Sequence, residues 1–172
     1  MSKICNIGYF GSVSDIYCLS ILNNLSVLLS SAEFKIHVCG SLMDSSVDVA
    51  SGICYHGYLS GEEFDAFCAD IDVFINPREY SETITSYAFP SKLYEYMSHC
   101  KPVISTPIPH VSETTANFIN FSSDYSVNAV KDLILDVWND YNAFLLHASR
   151  QKRYLRELDV GLVLFSFFKE LK

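Results

Sequence analysis

The chain has 172 residues, 49% of them apolar and 19% charged, with a formal net charge of −8. This balance excludes a disordered segment and excludes nucleic acid or an anionic bilayer as the partner of the surface at large, leaving room for a local basic site. No apolar run approaches the roughly 20 residues that span a bilayer, Met1–Ile7 lacks the apolar core of a signal peptide, and the length suits one domain with its own core.

In chain order, Ile4–Phe10 is an apolar run closed by Gly11-Ser12, a buried strand and its turn. Asp15 stands where it can cap the next helix, whose apolar stripe is Ile16, Leu19, Leu22, Leu25, Leu28 and Leu29. Lys35–Cys39 is a second strand ended by Gly40, and the polar stretch Ser41–Ala50 has room for a short helix. Ile53–Tyr58 is a third strand. Ser60-Gly61-Glu62-Glu63 has capping-box spacing and opens a helix to about Asp70. Ile71–Ile75 is a fourth strand, running into Asn76-Pro77-Arg78 and a polar loop, Glu79–Ala88.

The stretch Phe89–Thr106 reads as loop, helix, tight turn and buried strand. Pro90 suits a first helical turn, where a missing N–H is harmless, and Ser91 can cap that turn. Lys92, Glu95 and His99 fall on one side at three- to four-residue steps, with Leu93, Tyr96, Met97 and Cys100 on the other. Lys101-Pro102 stops the helix, and Val103-Ile104 is a strand. Two readings of the polar side stand. One is a solvated face with a capping serine and a Lys92–Glu95 pair. The other is a ligand site, in which the helix N-terminus and Lys92 meet a phosphate and Glu95 accepts sugar hydroxyls.

Beyond Thr106-Pro107 a short helix is expected near Ser112, and a sixth short strand over Phe118–Phe121. Helices follow over Ser123–Tyr141 and Asn142–Leu158. A very apolar helix over Val160–Leu171 is expected to expose Val160, Leu162, Leu164, Phe165, Phe167 and Phe168 as a patch that marks a partner surface. Alternating strands and helices imply an α/β fold: a parallel sheet of about six strands with helices on both faces. Residues 1–172 form one Rossmann-like domain, including C-terminal helices from about 124. Ligands of such sheets bind beyond the carboxyl ends of the strands, which here are Phe10–Ser12, Gly40-Ser41, His56–Tyr58, Pro77-Arg78 and Ser105-Thr106.

Several chemistries are weighed at that rim. Gly11–Ser14 lacks both the G-x-G-x-x-G and the P-loop patterns; Gly11 is either a plain turn residue or the point where backbone N–H groups approach a phosphate. Arg78 is either a solvated arginine or a diphosphate clamp. His56, His110 and His147 show no metal-ligand spacing, and no nucleophile elbow is present. The cysteines 5, 18, 39, 54, 68 and 100 form no C-x-x-C pair and mostly sit among apolar residues, which reads as free thiols in a reducing, cytoplasmic compartment.

The segment Phe89–Thr106 resembles the F-P-S-K-L-x-E-Y-M-x-x-G-K-P-V-I-S-T segment of the donor-binding, C-terminal lobe of GT-B glycosyltransferases of the group 1 kind. His56–Ser60 and Ala69–Arg78 look like the same lobe's strand ends, and with the opening strand the resemblance covers roughly residues 3–125. It implies a nucleotide-sugar donor, with Glu95 on ribose hydroxyls and Ser91, Lys92 and Leu93 beside the diphosphate. It also implies that the Gly11-Ser12 turn lies against the phosphates and the backbone of Tyr58 and Leu59 by the base. The basic candidates are Lys92 and Arg78, and neither a metal nor another cofactor is implied. The resemblance further implies an acceptor-binding N-terminal lobe in this or another chain, so that the isolated lobe is inactive. The whole enzyme would build a polysaccharide or glycoconjugate in the cytoplasm or at the inner face of the membrane, in peripheral association with it. The chain departs from the family at three points. Tyr87 stands eight before Glu95, where many members have a first glutamate, and Glu79 and Glu82 are out of register. The basic pair after the first glycine turn is missing from Ser12–Leu22, and Cys100 replaces the helix-ending glycine. These departures keep a second reading in view, a non-catalytic sugar-nucleotide-binding or interaction module.

Overall fold

Among the described residues six strands, all parallel, form one sheet in the order β3-β2-β1-β4-β5-β6. A computed structural model describes residues 4–14, 18–30, 33–42, 48–78, 90–109, 111–159 and 161. The strands are β1 (Cys5–Phe10), β2 (Phe34–Cys39), β3 (Ile53–Tyr55), β4 (Val73–Asn76), β5 (Val103–Ser105) and β6 (Asn120–Phe121). The helices among the described residues are α1 (Leu19–Leu28), α2 (Gly61–Asp70), α3 (Ser91–Ser98), α4 (Glu113–Ala116), α5 (Val127–Asn139), α6 (Tyr141–Ala148) and α7 (Gln151–Glu157). The expected α/β class and strand count hold, and every crossover in the described chain returns to a parallel strand.

Period-two alternation divides the core. Ile7 and Tyr9 of β1, Ile36 and Val38 of β2, and Val73 and Ile75 of β4 pack with Leu22 of α1 and Ile134 of α5. Phe10, Cys39 and Phe74 point the other way, onto Phe67 of α2 and onto Leu93, Tyr96 and Met97 of α3, with Tyr154 and Leu155 of α7 alongside. Each fully buried leucine or isoleucine in these layers contributes roughly 1.5–3 kcal/mol.

Where elements depart from expectation, local causes are visible. β3 ends at Tyr55 rather than Tyr58, because Gly57 at φ 69° turns the chain out of the sheet. β4 begins at Val73 rather than Ile71; Asp72 instead uses its carboxylate to accept from Asn6 N–H (3.1 Å), closing the base of β1. The apolar stripe of α1 is corrected at two positions, since Leu28 is 48% exposed and Ile21 is buried. The capping box at Ser60 does not form: Ser60 flanks α2 but makes no side-chain cap bond. Ser112 and Ser126 do cap α4 and α5, accepting from Thr115 N–H and Ala129 N–H. The single helix expected over Asn142–Leu158 is two, α6 and α7, broken at Ser149-Arg150. There His147 and Gln151 dock on the carbonyls of Asn117 and Phe118. Asp15, Ile16, residues 43–47 of the stretch expected to hold a short helix, Glu79, Glu82, Tyr87, His110, and residues 160 and 162–171 of the expected apolar helix lie outside the described residues. Four of the six thiols are buried as expected, while Cys54 on the edge strand is exposed and Cys100 is half-buried.

Cys100 closes α3 with φ 54°, the only non-glycine in the left-handed region among the described residues. A side chain there costs roughly 1–2 kcal/mol, and glycine gives back part of that in chain entropy. Cys100→Gly is therefore expected to stabilise the fold by about 0.5–1 kcal/mol, read as a melting temperature a few degrees higher; a lower one would contradict the strain.

Candidate functional site

The strand order reverses between β1 and β4, the crevice where ligands of such sheets bind. β1 pairs with β4 only at Ile7 and Gly8, so beyond Gly8 the two strands separate. Tyr96 fills the gap. Its buried hydroxyl donates to the Phe10 carbonyl (2.9 Å) and accepts from Phe10 N–H (3.3 Å), fixing α3 to the end of β1. On the other side Thr106 does the same for β4, its Oγ1 accepting from Arg78 N–H (2.9 Å) and donating to the Arg78 carbonyl (3.0 Å).

A cleft of about 520 Å³ opens at the ends of β1 and β2. It brings together five residues expected from the sequence, Gly11, Ser12, Tyr58, Leu59 and Glu95, with Phe10 and Phe64 on its apolar wall. Tyr58 is 75% exposed at its mouth. Gly11 (φ 134°) and Gly40 (φ 141°) touch backbone to backbone at its floor, where a Cβ on Gly40 would overlap the Gly11 carbonyl oxygen.

The α3 residues separate into distinct roles. Pro90, not Ser91, is the flanking residue of the helix; Ser91 is its first, exposed residue and makes no cap bond, correcting the expected cap. The Leu93 side chain is fully buried in the core and its N–H is taken by the Pro90 carbonyl (3.0 Å), so it reaches the crevice neither by side chain nor by a spare donor. Glu95 is exposed on the cleft wall. The Lys92–Glu95 pair of the plain-helix reading is absent among the described residues. Lys92 turns inward instead, donating to Tyr9 Oη (2.6 Å) over the Tyr9 ring, 4.6 Å from its centroid. Its ammonium occupies the space a Cβ on Gly11 would need. Burial pushes the Lys92 pKa down and the Arg78 charge adds to this, against opposing contributions from Cys18 and Glu95. Lys92 and Arg78 thus place two cationic groups near the reversal point, where the first turn of α3 adds its partial positive charge.

Sequence reasoning missed Tyr9, Tyr96 and His37, and read Gly40 only as a strand end at the rim. Tyr9 and Tyr96 read as core by periodicity, and the signal that could have found them is the phenol itself, which needs a partner when buried. His56, unpaired in the sequence reading, meets His37 in a second cleft of about 320 Å³ beside Glu63 and Asp70, with His37 Nδ1 and His56 Nε2 3.0 Å apart. Among the described residues no group of three or more His, Cys, Asp or Glu is arranged to hold a metal, and no helix is long and apolar enough to cross a membrane.

These histidines give the fold a pH dependence. Burial lowers the His37 pKa, helped by His56 and Lys35 and opposed by Asp70; burial likewise lowers that of His99, which packs among Phe10, Phe64 and Phe74. The unfolded chain takes up these protons near pH 6.5, before the folded one does. Stability is therefore full above about 6.5 and falls as the pH drops through the lower folded values. The melting temperature is expected to fall between pH 7 and 5.5, less steeply in His37→Gln. A slope identical in that variant would remove His37 from the account.

The family model described as "Glycosyl transferases group 1" matches residues 5–140. No curated protein matches the chain by sequence. Among solved structures, Anabaena HepE in complex with UDP-glucose superposes with a TM-score of 0.72 at 13% identity, over 98% of this chain and 48% of its own. WaaG, a glycosyltransferase involved in lipopolysaccharide biosynthesis, gives 0.65 at 14%, over 96% and 46%. The C-terminal domain of the group 1 protein LpcC from Francisella tularensis gives 0.65 at 13%, over 91% and 87%. The chain spans about half the length of HepE and WaaG, and its Rossmann-like sheet has the fold of a single lobe of such structures.

Proposed function

The chain belongs to the glycosyl transferases group 1 family, and from that premise we propose that it is the donor-binding lobe of a glycosyltransferase. The reaction moves a hexosyl or related sugar from a nucleoside diphosphate to an acceptor hydroxyl, in making a polysaccharide or glycoconjugate. The observation that carries this reading is the convergence of Gly11, Ser12, Tyr58, Leu59 and Glu95 on one cleft at the strand ends, with Lys92 directly behind Gly11.

In this reading the base lies along Tyr58-Leu59 and the ribose hydroxyls donate to the Glu95 carboxylate. The diphosphate rests on the Gly11-Ser12 turn at the N-terminus of α3. As the bond from the anomeric carbon to the diphosphate breaks, negative charge grows on the leaving oxygen. In this reading Lys92, Arg78 and the first-turn N–H groups at Ser91 and Lys92 offset it. Leu93 serves by seating the helix. No metal or other cofactor is assigned a role. HepE, solved with UDP-glucose and with UDP, supports a nucleotide sugar as ligand. The acceptor belongs to a second, N-terminal lobe in the same or another chain, so these 172 residues alone transfer sugar poorly. The complete enzyme works in the cytoplasm or at the inner membrane face, in peripheral association with it.

Calorimetric titration with UDP, GDP, ADP and their sugars tests donor binding: saturable binding of one nucleotide is the expected result, and binding of none overturns the reading. A second reading, a non-catalytic sugar-nucleotide-binding module, is favoured by Tyr87 at the position of the first glutamate. Sugar transfer by the complete protein, lost when this cleft is altered, separates the two.

A further inference from the structure

We propose that Tyr9 is a positioning residue for the diphosphate end of the cleft: its phenol holds the Lys92 ammonium against the Gly11-Ser12 turn and so sets the affinity for diphosphate. The inference rests on the donor-binding reading above and extends it to a residue that makes no contact with the donor.

Lys92 leaves α3 on one face of the sheet, while the Tyr9 ring belongs to the core of the opposite face. The lysine therefore crosses the carboxyl end of β1, and Gly11 leaves the space it passes through. At the far end Tyr9 Oη accepts from Lys92 Nζ (2.6 Å) and donates to the Ser12 carbonyl (2.7 Å). An ammonium can only donate and a carbonyl can only accept, so the direction of this chain of bonds is fixed. One hydroxyl thus joins the α3 lysine to the turn that faces the phosphates. Burial of Tyr9, which is 1% exposed, raises its pKa and keeps the proton that Ser12 needs.

The chemistry follows from that placement. Desolvating an ammonium is unfavourable unless it is hydrogen-bonded, and Tyr9 supplies the bond together with the face of its ring. Lys92 is then held in one position before any ligand arrives, so less side-chain freedom is lost on binding. The family's basic pair after the first glycine turn is missing here, which makes the placement of the remaining lysine more consequential. Without the hydroxyl, Lys92 loses its anchor and the Ser12 carbonyl loses its donor, while the nucleoside end at Tyr58 and Glu95 is untouched.

Tyr9→Phe keeps the ring and removes only the hydroxyl. Titrated with UDP, GDP and ADP and with the matching nucleosides, this variant of the 172-residue chain is expected to bind the preferred diphosphate about tenfold more weakly. Its affinity for the nucleoside is expected to stay unchanged. A destabilised fold would weaken both, so the split separates positioning from packing, and melting curves report stability on their own. Should Tyr9→Phe fail to fold, Tyr9→Met, a flexible apolar side chain with no hydroxyl, decides: loss of diphosphate affinity with nucleoside affinity kept supports the proposal, and unchanged diphosphate affinity overturns it. Wild-type binding of diphosphate with Tyr9→Phe equal to it, or with both ligands weakened alike, overturns this inference alone. A wild-type chain that binds none of the nucleotides overturns the donor reading and this one together.

Discussion

Replacing Glu95 by alanine is expected to weaken nucleoside diphosphate binding about ten- to hundredfold and to leave the melting temperature nearly unchanged. The first half follows from the cleft. Glu95 is exposed on its wall, one helical turn from Lys92 and across from the Tyr58-Leu59 segment. A carboxylate accepting from two ribose hydroxyls makes charge-assisted bonds of roughly 1.5–3 kcal/mol, and that range corresponds to the stated loss of affinity. The second half follows from what Glu95 does not do in the free protein. Among the described residues its carboxylate has no ion pair, because Lys92 is committed to Tyr9. A helical Lys–Glu pair would have been worth only about 0.2–0.5 kcal/mol in any case. Alanine is also the better helix former. Nucleotide titration and melting of both proteins check the two halves separately. Full affinity in Glu95→Ala would remove the ribose role, and a large drop in melting temperature would return Glu95 to a structural one.

Gly40→Ala is expected to destabilise the fold by roughly 2–6 kcal/mol, lowering the melting temperature by about 10 °C, and to abolish nucleotide binding. Its φ of 141° lies where only glycine is at ease, a strain of about 1–3 kcal/mol for any side chain. The added methyl would also overlap the Gly11 carbonyl oxygen, a backbone atom with no rotamer to change. Overpacking of this kind adds roughly another 1–3 kcal/mol. Gly40 cannot retreat easily, because its N–H donates to the Gly57 carbonyl (2.7 Å) and its carbonyl accepts from Tyr55 Oη (2.7 Å). The strain would then be relieved at Gly11, the turn that faces the cleft. Gly57→Ala is the control: its φ is 69°, yet nothing lies within 4 Å of the added Cβ, so about 1–2 kcal/mol of backbone strain is all it should show. Equal melting temperatures for the two variants would mean that the Gly11–Gly40 contact carries no energy.

Much of this protein is determined by the sequence read locally. The alternation of strands and helices, the amphipathic α3 and the placing of Gly11, Ser12 and Tyr58 at strand ends were legible in the residues, while the family resemblance brought Leu59 to the same site and gave Glu95 of α3 its ribose role. Hydrophobic period, chain breakers and motif spacing act over a few residues, and a parallel sheet carries successive strand ends to the same rim. What only the tertiary structure decided is which partner each polar group takes. Ser60 and Ser91 have the local chemistry of caps and do not use it. Lys92 has Glu95 three residues away and bonds Tyr9, 83 positions distant. Leu93, beside Lys92, points into the core. The physical reason is a competition that local spacing cannot weigh. A buried phenol or ammonium without a partner is far more unfavourable than an exposed serine or carboxylate left to water. Partners are therefore assigned by which groups the fold buries together, at the point where β1 and β4 part, and that point exists only once the sheet has formed.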